Sequence, residues 1–323
     1  MSLRNKSILV TGGAGFVGSH LVDRLVREEP EQLVVASNFF LGNLHNLEQA
    51  KKDFPKLKIV RCDVADYDDI SDVVAEHRPD VVFNLSVIPL PTSLVKPEWT
   101  VRKNVDMTLN ICRLQREGKF SKLIQFSSSE APGSALHIPM KEDHPTNPET
   151  PYAASKAATD HIALSYHHTF GCDTTVLRPF NQYGPRQNAK KYAAIIPLVI
   201  GKMMCGEEVT IYGNGEQTRD FLYVTETADA TVAASQCKAA CGKTINIASG
   251  KEISIKEVVH LIAEEMDYHK PFIYKEARPG DVLRHLADVT LAKDLLGWKP
   301  SISFQEGIRR TVRWYVDHRR VFD

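Results

Sequence analysis

Apolar residues along the chain fall into two alternating patterns. One is the short, near-continuous apolar run: "SILVT", "LVVAS", "LKIVR", "DVVFN", "KLIQF" and "TTVLRP". The other is the longer stretch with apolar positions at helical spacing, as in "FVGSHLVDRLVREE", "DDISDVVAEH", "VDMTLNICRLQREG" and "PYAASKAATDHIALSYHHTF". A strand with no polar alternation is buried on both faces, and helices between such strands supply the cover. The pattern therefore predicts an α/β fold, a doubly wound parallel sheet over residues 1–180. Beyond Pro179 the grain changes. Shorter runs ("EVTIYG", "KTINIAS", "PFIYKE") mix with helical segments and with loops rich in Arg, Gly and Pro. Residues 181–323 are expected to form a smaller α/β region, interleaved with the first and closing over the carboxyl ends of its strands.

Composition narrows the classes. The 323 residues carry 40 basic and 40 acidic side chains, so no global field draws the chain to nucleic acid or to a membrane surface. Its apolar runs are too short to span a bilayer, and no leader pattern opens it. The six cysteines stand singly, without His or Cys partners at metal-ligand spacing. The expectation is a cytoplasmic protein with reduced thiols and no metal.

The first candidate chemistry follows the first strand. "TGGAGFVG" sets Gly12, Gly15 and Gly18 in the order G-x-x-G-x-x-G, between a strand and a helix. Glycine serves there for the tight turn, for approach of backbone to a pyrophosphate, and for packing of helix on strand. The helix N-terminus adds free N–H groups, which makes a dinucleotide cradle of the Rossmann type. The second strand ends in Ser37 and Asn38, not in the Asp or Glu that holds an adenosine ribose. Both can hydrogen-bond a hydroxyl, and the following "FFLGNLHN" offers no Arg for a 2′-phosphate, so NAD is expected over NADP. Asp63, after the third strand, is placed for the adenine edge or for a helix cap.

The second candidate is a base. "TPYAASK" puts Tyr152 and Lys156 four residues apart behind Thr150, a capping residue, and Pro151, suited to a first turn. The pair shares one helix face. An ammonium beside a phenol favours the phenolate. Lowering a tyrosine pKa from about 10 to about 7 takes roughly 4 kcal/mol, a cost Lys156 and an oxidised nicotinamide are expected to share.

With these residues in place the chain resembles the extended short-chain dehydrogenase/reductases that act on nucleotide sugars. The likeness runs almost end to end through "TGGAGFVG", "YAASK", "RPFNQYGPRQ", "GNGEQTRDFLYV" and "RPGDV". It implies a Rossmann domain with a smaller C-terminal α/β substrate-binding domain, bound NAD, and transient oxidation of a sugar at C4. By resemblance Ser128 bonds the reacting hydroxyl, Tyr152 is the base, and Lys156 holds the nicotinamide ribose. Phe16, Val17, Val64, Leu85, Ser86 and Asn104 border or support the cofactor. Arg219, Arg278 and Asn181 meet the diphosphate or sugar, with Asp281 on a ribose and Ser129 beside the substrate. The implied substrate is a UDP-sugar. Two of the helical segments carry apolar residues on more than one face, as the family's four-helix homodimer interface needs.

Glu130 selects among the family's reactions. "SSSE" falls where 4,6-dehydratases carry Thr-Asp-Glu or Thr-Ser-Glu, and where simple 4-epimerases have a small or neutral residue. Once C4 is a ketone the C5 proton is acidic, and a carboxylate there can remove it. The sequence therefore favours an elimination of the 4,6-dehydratase type. A 4-epimerase, a UDP-glucuronate decarboxylase and a non-catalytic NAD-binding scaffold are the alternatives.

Overall fold

The structure, a computed structural model, describes residues 2–190, 193–276 and 283–322. All six apolar runs become strands of one sheet: β1 (Ser7–Thr11), β2 (Gln32–Ser37), β3 (Lys58–Arg61), β4 (Val81–Asn84), β5 (Lys122–Phe126) and β6 (Asp173–Pro179). Every pairing among them is parallel. Side chains alternate between two cores. Ile8, Val10, Leu33, Val35 and Phe83 pack on one face, and Leu9, Val34 and Val82 on the other, all fully buried. This is why the runs lack polar alternation.

Helices cover both faces: α1 (Phe16–Val26), the short α2 (Glu48–Asp53), α3 (Tyr67–His77), the single turn α4 (Leu90–Ser93), α5 (Pro97–Arg116) and α6 (Pro151–Phe170). Thr150 caps α6, its hydroxyl accepting from Ala153 N at 3.1 Å, and Gly171 ends the helix in the left-handed region at φ 71°. Both ends of this helix are written in the sequence.

The C-terminal part follows β6. It supplies β7 (Gln182–Tyr183), β8 (Thr210–Tyr212), β9 (Thr218–Arg219), β10 (Leu222–Tyr223), β11 (Thr244–Ile247), β12 (Ile253–Ser254) and β13 (Ile273–Lys275). Its helices are α7 (Ile195–Met204), α8 (Val224–Gln236), α9 (Ile255–Glu265), α10 (Thr290–Leu296) and α11 (Phe304–Asp317). Strand β11, the run "KTINIAS", joins the large sheet parallel to β6, with Ile245 opposite Leu177, and α8 packs on α1. Ile245 and Ile247 share one face of β11 and are fully buried in the same core as Ile124 and Leu177, burial that a two-stranded ribbon cannot give. The other short strands form three two-stranded pairs, β10 with β7, β12 with β9, and β13 with β8. Around them α7, α9 and α11 close a third core on Tyr183, Ile200, Ile211, Ile262 and Tyr315.

The sheet order is β11-β6-β5-β4-β1-β2-β3. Direction of travel reverses between β1 and β4, so the carboxyl ends of these neighbours open a crevice, the usual ligand position in such sheets. No helix among the described residues is long and apolar enough to cross a membrane.

Candidate active site

The crevice is a cleft of about 1560 Å³ bordered by Gly12, Gly15, Phe16, Val17, Gly18, Ser37, Asn38, Val64, Leu85, Ser86, Tyr152 and Lys156 among others. Its floor is set by backbone. Gly12 has φ +69°, and a Cβ there would meet the Leu85 carbonyl carbon and oxygen at 2.9 Å. A Cβ on Gly18 would lie 2.3 Å from Gly12 O and 2.8 Å from Gly13 Cα. Neither neighbour is a side chain that can swing away. Gly18→Ala is therefore expected to destabilise the protein by about 2–3 kcal/mol and to loosen the cradle, read as a lower Tm and weaker cofactor retention.

A dinucleotide fits these residues. Gly15 caps α1 without a side chain, so the first-turn N–H groups of an 11-residue helix face the cleft. Ser37 and Asn38 line it at the end of β2. Their oxygens also shape the turn, Ser37 Oγ accepting from Phe39 N at 3.1 Å and Asn38 Oδ1 from Phe40 N at 3.0 Å. Asp63 does not border the cleft. Its carboxylate takes Lys103 Nζ at 2.9 Å and Ala65 N at 3.1 Å, while Cys62 and Val64 on either side line the wall. Asn104 lies behind the wall, holding the loop after β4 through Ile88 N at 2.7 Å and reaching α6 through Ser155 Oγ at 2.9 Å.

The chemistry collects where β5 ends and α6 begins. Ser128 is hydrogen-bonded to the Tyr152 phenol, and its Oγ accepts from Glu130 N at 3.2 Å. The Lys156 ammonium, buried one turn along α6, donates to the Phe126 carbonyl. Burial pushes the Tyr152 phenol up to about 12, against the Ser128 hydrogen bond, and Glu130 and Asp160 raise it further. Burial also lowers Lys156 to about 8, with Asp160 opposing. This differs from the expected direct effect of Lys156 on Tyr152, because the ammonium is spent on a main-chain oxygen. The protein's own groups favour the protonated form of Tyr152.

Glu130 is half-buried and faces both Tyr152 and Arg219. Desolvation raises its carboxyl, Arg219 lowers it, and Glu149 adds a smaller upward push. Arg219 stands on β9, and its Nη1 donates to Thr218 O at 2.9 Å. The next residue, Asp220, is fully buried and staples three loops. Its carboxylate accepts from Ser249 N (2.8 Å), Ser249 Oγ (2.6 Å), Gly250 N (2.9 Å) and Ala287 N (3.3 Å). Asn181 Nδ2 donates to the Asp220 carbonyl at 3.4 Å, which ties Asn181 to the residue next to Arg219. Ser129 is buried and donates its N–H to Pro179 O at 3.0 Å. Arg278 and Asp281 lie outside the described residues.

Asn84, which the departure of "NLSVIPLP" from the family pattern places near the cofactor, runs a buried polar chain across the strand ends, accepting from Thr11 Oγ1 at 2.6 Å and donating to Gln125 Oε1 at 2.8 Å. Several other site residues escaped the sequence reading. His285 bonds the Ser129 backbone and lies 5.0 Å from the Phe180 ring; burial lowers it to about 4, so it is neutral. Arg186, Lys190, Arg319 and Arg320 bring cations to the cleft from late in the chain. Arg186 is paired with Asp23 at 2.7 Å. Only Asp160 left a signal, standing four residues after Lys156.

The switch-point cleft, glycine cradle and Tyr-Lys helix define an enzyme of the dinucleotide-binding, doubly wound class. The family model for GDP-mannose 4,6 dehydratase matches residues 9–311. A putative UDP-glucose 4-epimerase of Methanocaldococcus jannaschii is 35% identical over 314 residues, covering 97% of this chain and 99% of that one. A dTDP-glucose 4,6-dehydratase of Xanthomonas campestris is 31% identical over 332 residues, with coverage of 96% and 93%. Among solved structures, the dTDP-glucose 4,6-dehydratase DesIV of Streptomyces venezuelae, with NAD and TYD bound, superposes with a TM-score of 0.90. It is 28% identical and covers 98% of each chain. The chain belongs to the extended short-chain dehydrogenase/reductase family of NAD-dependent nucleotide-sugar epimerases and dehydratases.

Proposed function

We propose that the protein oxidises the C4 hydroxyl of a UDP-linked sugar and then carries out a 4,6-elimination, with Glu130 as the C5 base. The observation that carries this reading is the position of Glu130, a half-buried carboxylate between the catalytic phenol and Arg219. NAD, when bound, supplies the hydride acceptor for C4 and returns the hydride later in the cycle. Tyr152 accepts the C4 hydroxyl proton, and Ser128 aligns that hydroxyl by its bond to the phenol. Lys156 binds ribose hydroxyls. Gly12, Gly15, Gly18 and the first turn of α1 hold the pyrophosphate. Arg219 and Asn181 hold the substrate's diphosphate or sugar, with Arg278 and Asp281 completing the set. Glu130 takes the C5 proton and hands it to the C6 hydroxyl, which leaves as water while the C5=C6 double bond forms. C5 later regains a proton from solvent. A desolvated carboxyl, raised from the usual range, suits a base that must give its proton up again.

A 4-epimerase is the second reading. Ser129 stands beside Glu130 where an acid would help the C6 hydroxyl depart, and its side chain is buried. Here Glu130 serves only as a partner for Arg219, and the ketone is reduced on its other face. Purified protein incubated with UDP-, dTDP- and GDP-sugars in deuterated water separates the readings. Loss of water with deuterium at C5 supports elimination. Unchanged mass with inverted C4 supports the epimerase, and loss of carbon dioxide a decarboxylase.

Ser37 and Asn38 supply neutral hydrogen bonds, so NAD is expected to bind at least about tenfold tighter than NADP, a difference of about 1.4 kcal/mol. Fluorescence titration of both cofactors checks it, and tighter NADP binding counts against the assignment. We also propose a homodimer through α5 and α6. Val101, Val105 and Leu109 form one half-exposed apolar stripe on α5, and Ile162 and Tyr166 a second on α6 beside it. The expected result is a dimer mass by light scattering at micromolar concentration.

A further inference from the structure

One turn beyond Lys156 on α6 lies a buried ion pair that the reaction as described does not use. Asp160 follows Tyr152 and Lys156 at intervals of four residues, so all three lie on one stripe of the helix. Its side chain is buried, with Oδ2 accepting from Ser127 Oγ at 2.6 Å and standing 3.6 Å from Arg178 Nη2 on β6. Asp160 Oδ1 and Arg178 Nε have no hydrogen-bond partner although both are buried. Arg178 Nη1 reaches the Glu142 carbonyl at 3.4 Å.

As a device for stability this pair is poor. Burying two charges costs more than it returns unless hydrogen bonds saturate them, and here two atoms are left over. The neighbours supply a better reason. Lys156 is buried one turn before Asp160, and its ammonium is hydrogen-bonded to a neutral carbonyl, that of Phe126. A lysine so placed discharges unless a carboxylate faces it. Ser127, gripped by the same carboxylate, directly precedes Ser128.

We infer that Asp160 is a positioning residue that keeps the Lys156 ammonium charged and, through Ser127, fixes Ser128 against the helix that carries Tyr152. Arg178 offsets part of its charge, so the face near Lys156 remains anionic without a free carboxylate buried in the core. The inference rests on the reading of Tyr152 and Lys156 as the working pair.

The sign of the effect is set by charge. A negative group favours the protonated form of both Lys156 and Tyr152, and removing it lowers both. The other groups facing this stripe stay in place: Arg178 on β6, Glu142 in the loop whose carbonyl Arg178 bonds, Ser127 at the end of β5, and Glu130 and Ser128 at Tyr152. Both limbs of the pH–rate profile of Asp160→Asn are thus expected to move to lower pH, whereas a purely structural defect lowers the profile without moving it.

The deciding measurement needs no substrate. Protein labelled with ¹³C-lysine, with the Lys156 signal assigned by its loss in Lys156→Arg, is titrated by NMR. The expected wild-type midpoint is about 8. Asp160→Asn is expected to lower it by about one unit or more, and Asp160→Glu, which keeps the charge, to hold it near the wild-type value. An unmoved midpoint in Asp160→Asn overturns the inference. So does a wild-type midpoint well below neutrality, which also decides the matter if the variant does not fold. Retained activity in Tyr152→Phe counts against the proposed function instead, and leaves the titration result standing.

Discussion

Tyr152→Phe is expected to cut turnover by about 10²–10⁴-fold while the cofactor stays bound, because the ring still fills its place but has no oxygen to take the proton. The phenol is held near 12 by burial and by the charges of Glu130 and Asp160. Activity therefore requires that the bound cofactor's positive charge lower it, and the wild-type rate is expected to rise with pH until the phenol in the loaded site is ionised. Steady-state rates across pH check the limb, and absorbance of the retained cofactor checks the fold. A rate within tenfold of wild type would remove Tyr152 as the base.

Glu130→Gln is the second large effect, and it separates oxidation from elimination. The amide keeps the shape of the carboxyl and leaves Ser128 and Tyr152 in place. Oxidation at C4 is expected to survive while loss of water stops. Addition of the true substrate should then leave the reduced-nicotinamide absorbance standing, since the ketone has nowhere to go. The expected fall in the overall rate is at least about 10²-fold; a loss below about tenfold, roughly 1.4 kcal/mol, means that Glu130 is not the base. In an epimerase the same substitution leaves C4 inversion running and C5 free of solvent deuterium.

How much of this was legible in the sequence follows from what each signal depends on. The six strands of the first part were readable because burial on both faces imposes a local apolar run, and the bounds of α6 because Thr150 and Gly171 act within a turn. The placement of β11 was not readable. "KTINIAS" looks like any short strand, and only the unfilled edge of β6, some seventy residues earlier, decides which sheet it joins. The cradle was legible because its glycines are needed by backbone alone. Asp63 was ambiguous, since a carboxylate after a strand can serve a ligand or a nearby lysine, and Lys103 arrives from another helix. Asp220 and Arg178 were missed for a related reason: their partners lie on other strands and loops, where no spacing rule reaches. Asp160, also missed, did leave a local signal, because it stands one helical turn after Lys156.

The return of β11 to the large sheet bears on how the chain can be made and cut. A fragment ending near residue 180 looks like a complete cofactor-binding unit, yet it would leave β6 as a bare edge with Val176 and Leu177 beside unpaired backbone groups. Such an edge recruits other strands, so the fragment is expected to aggregate instead of binding cofactor. During synthesis the same edge stays open until residue 247 has left the ribosome, and its closure joins segments far apart in the chain. The strand that commits the second half to the first is thus also the one that ends the window in which the newborn chain can pair with its neighbours.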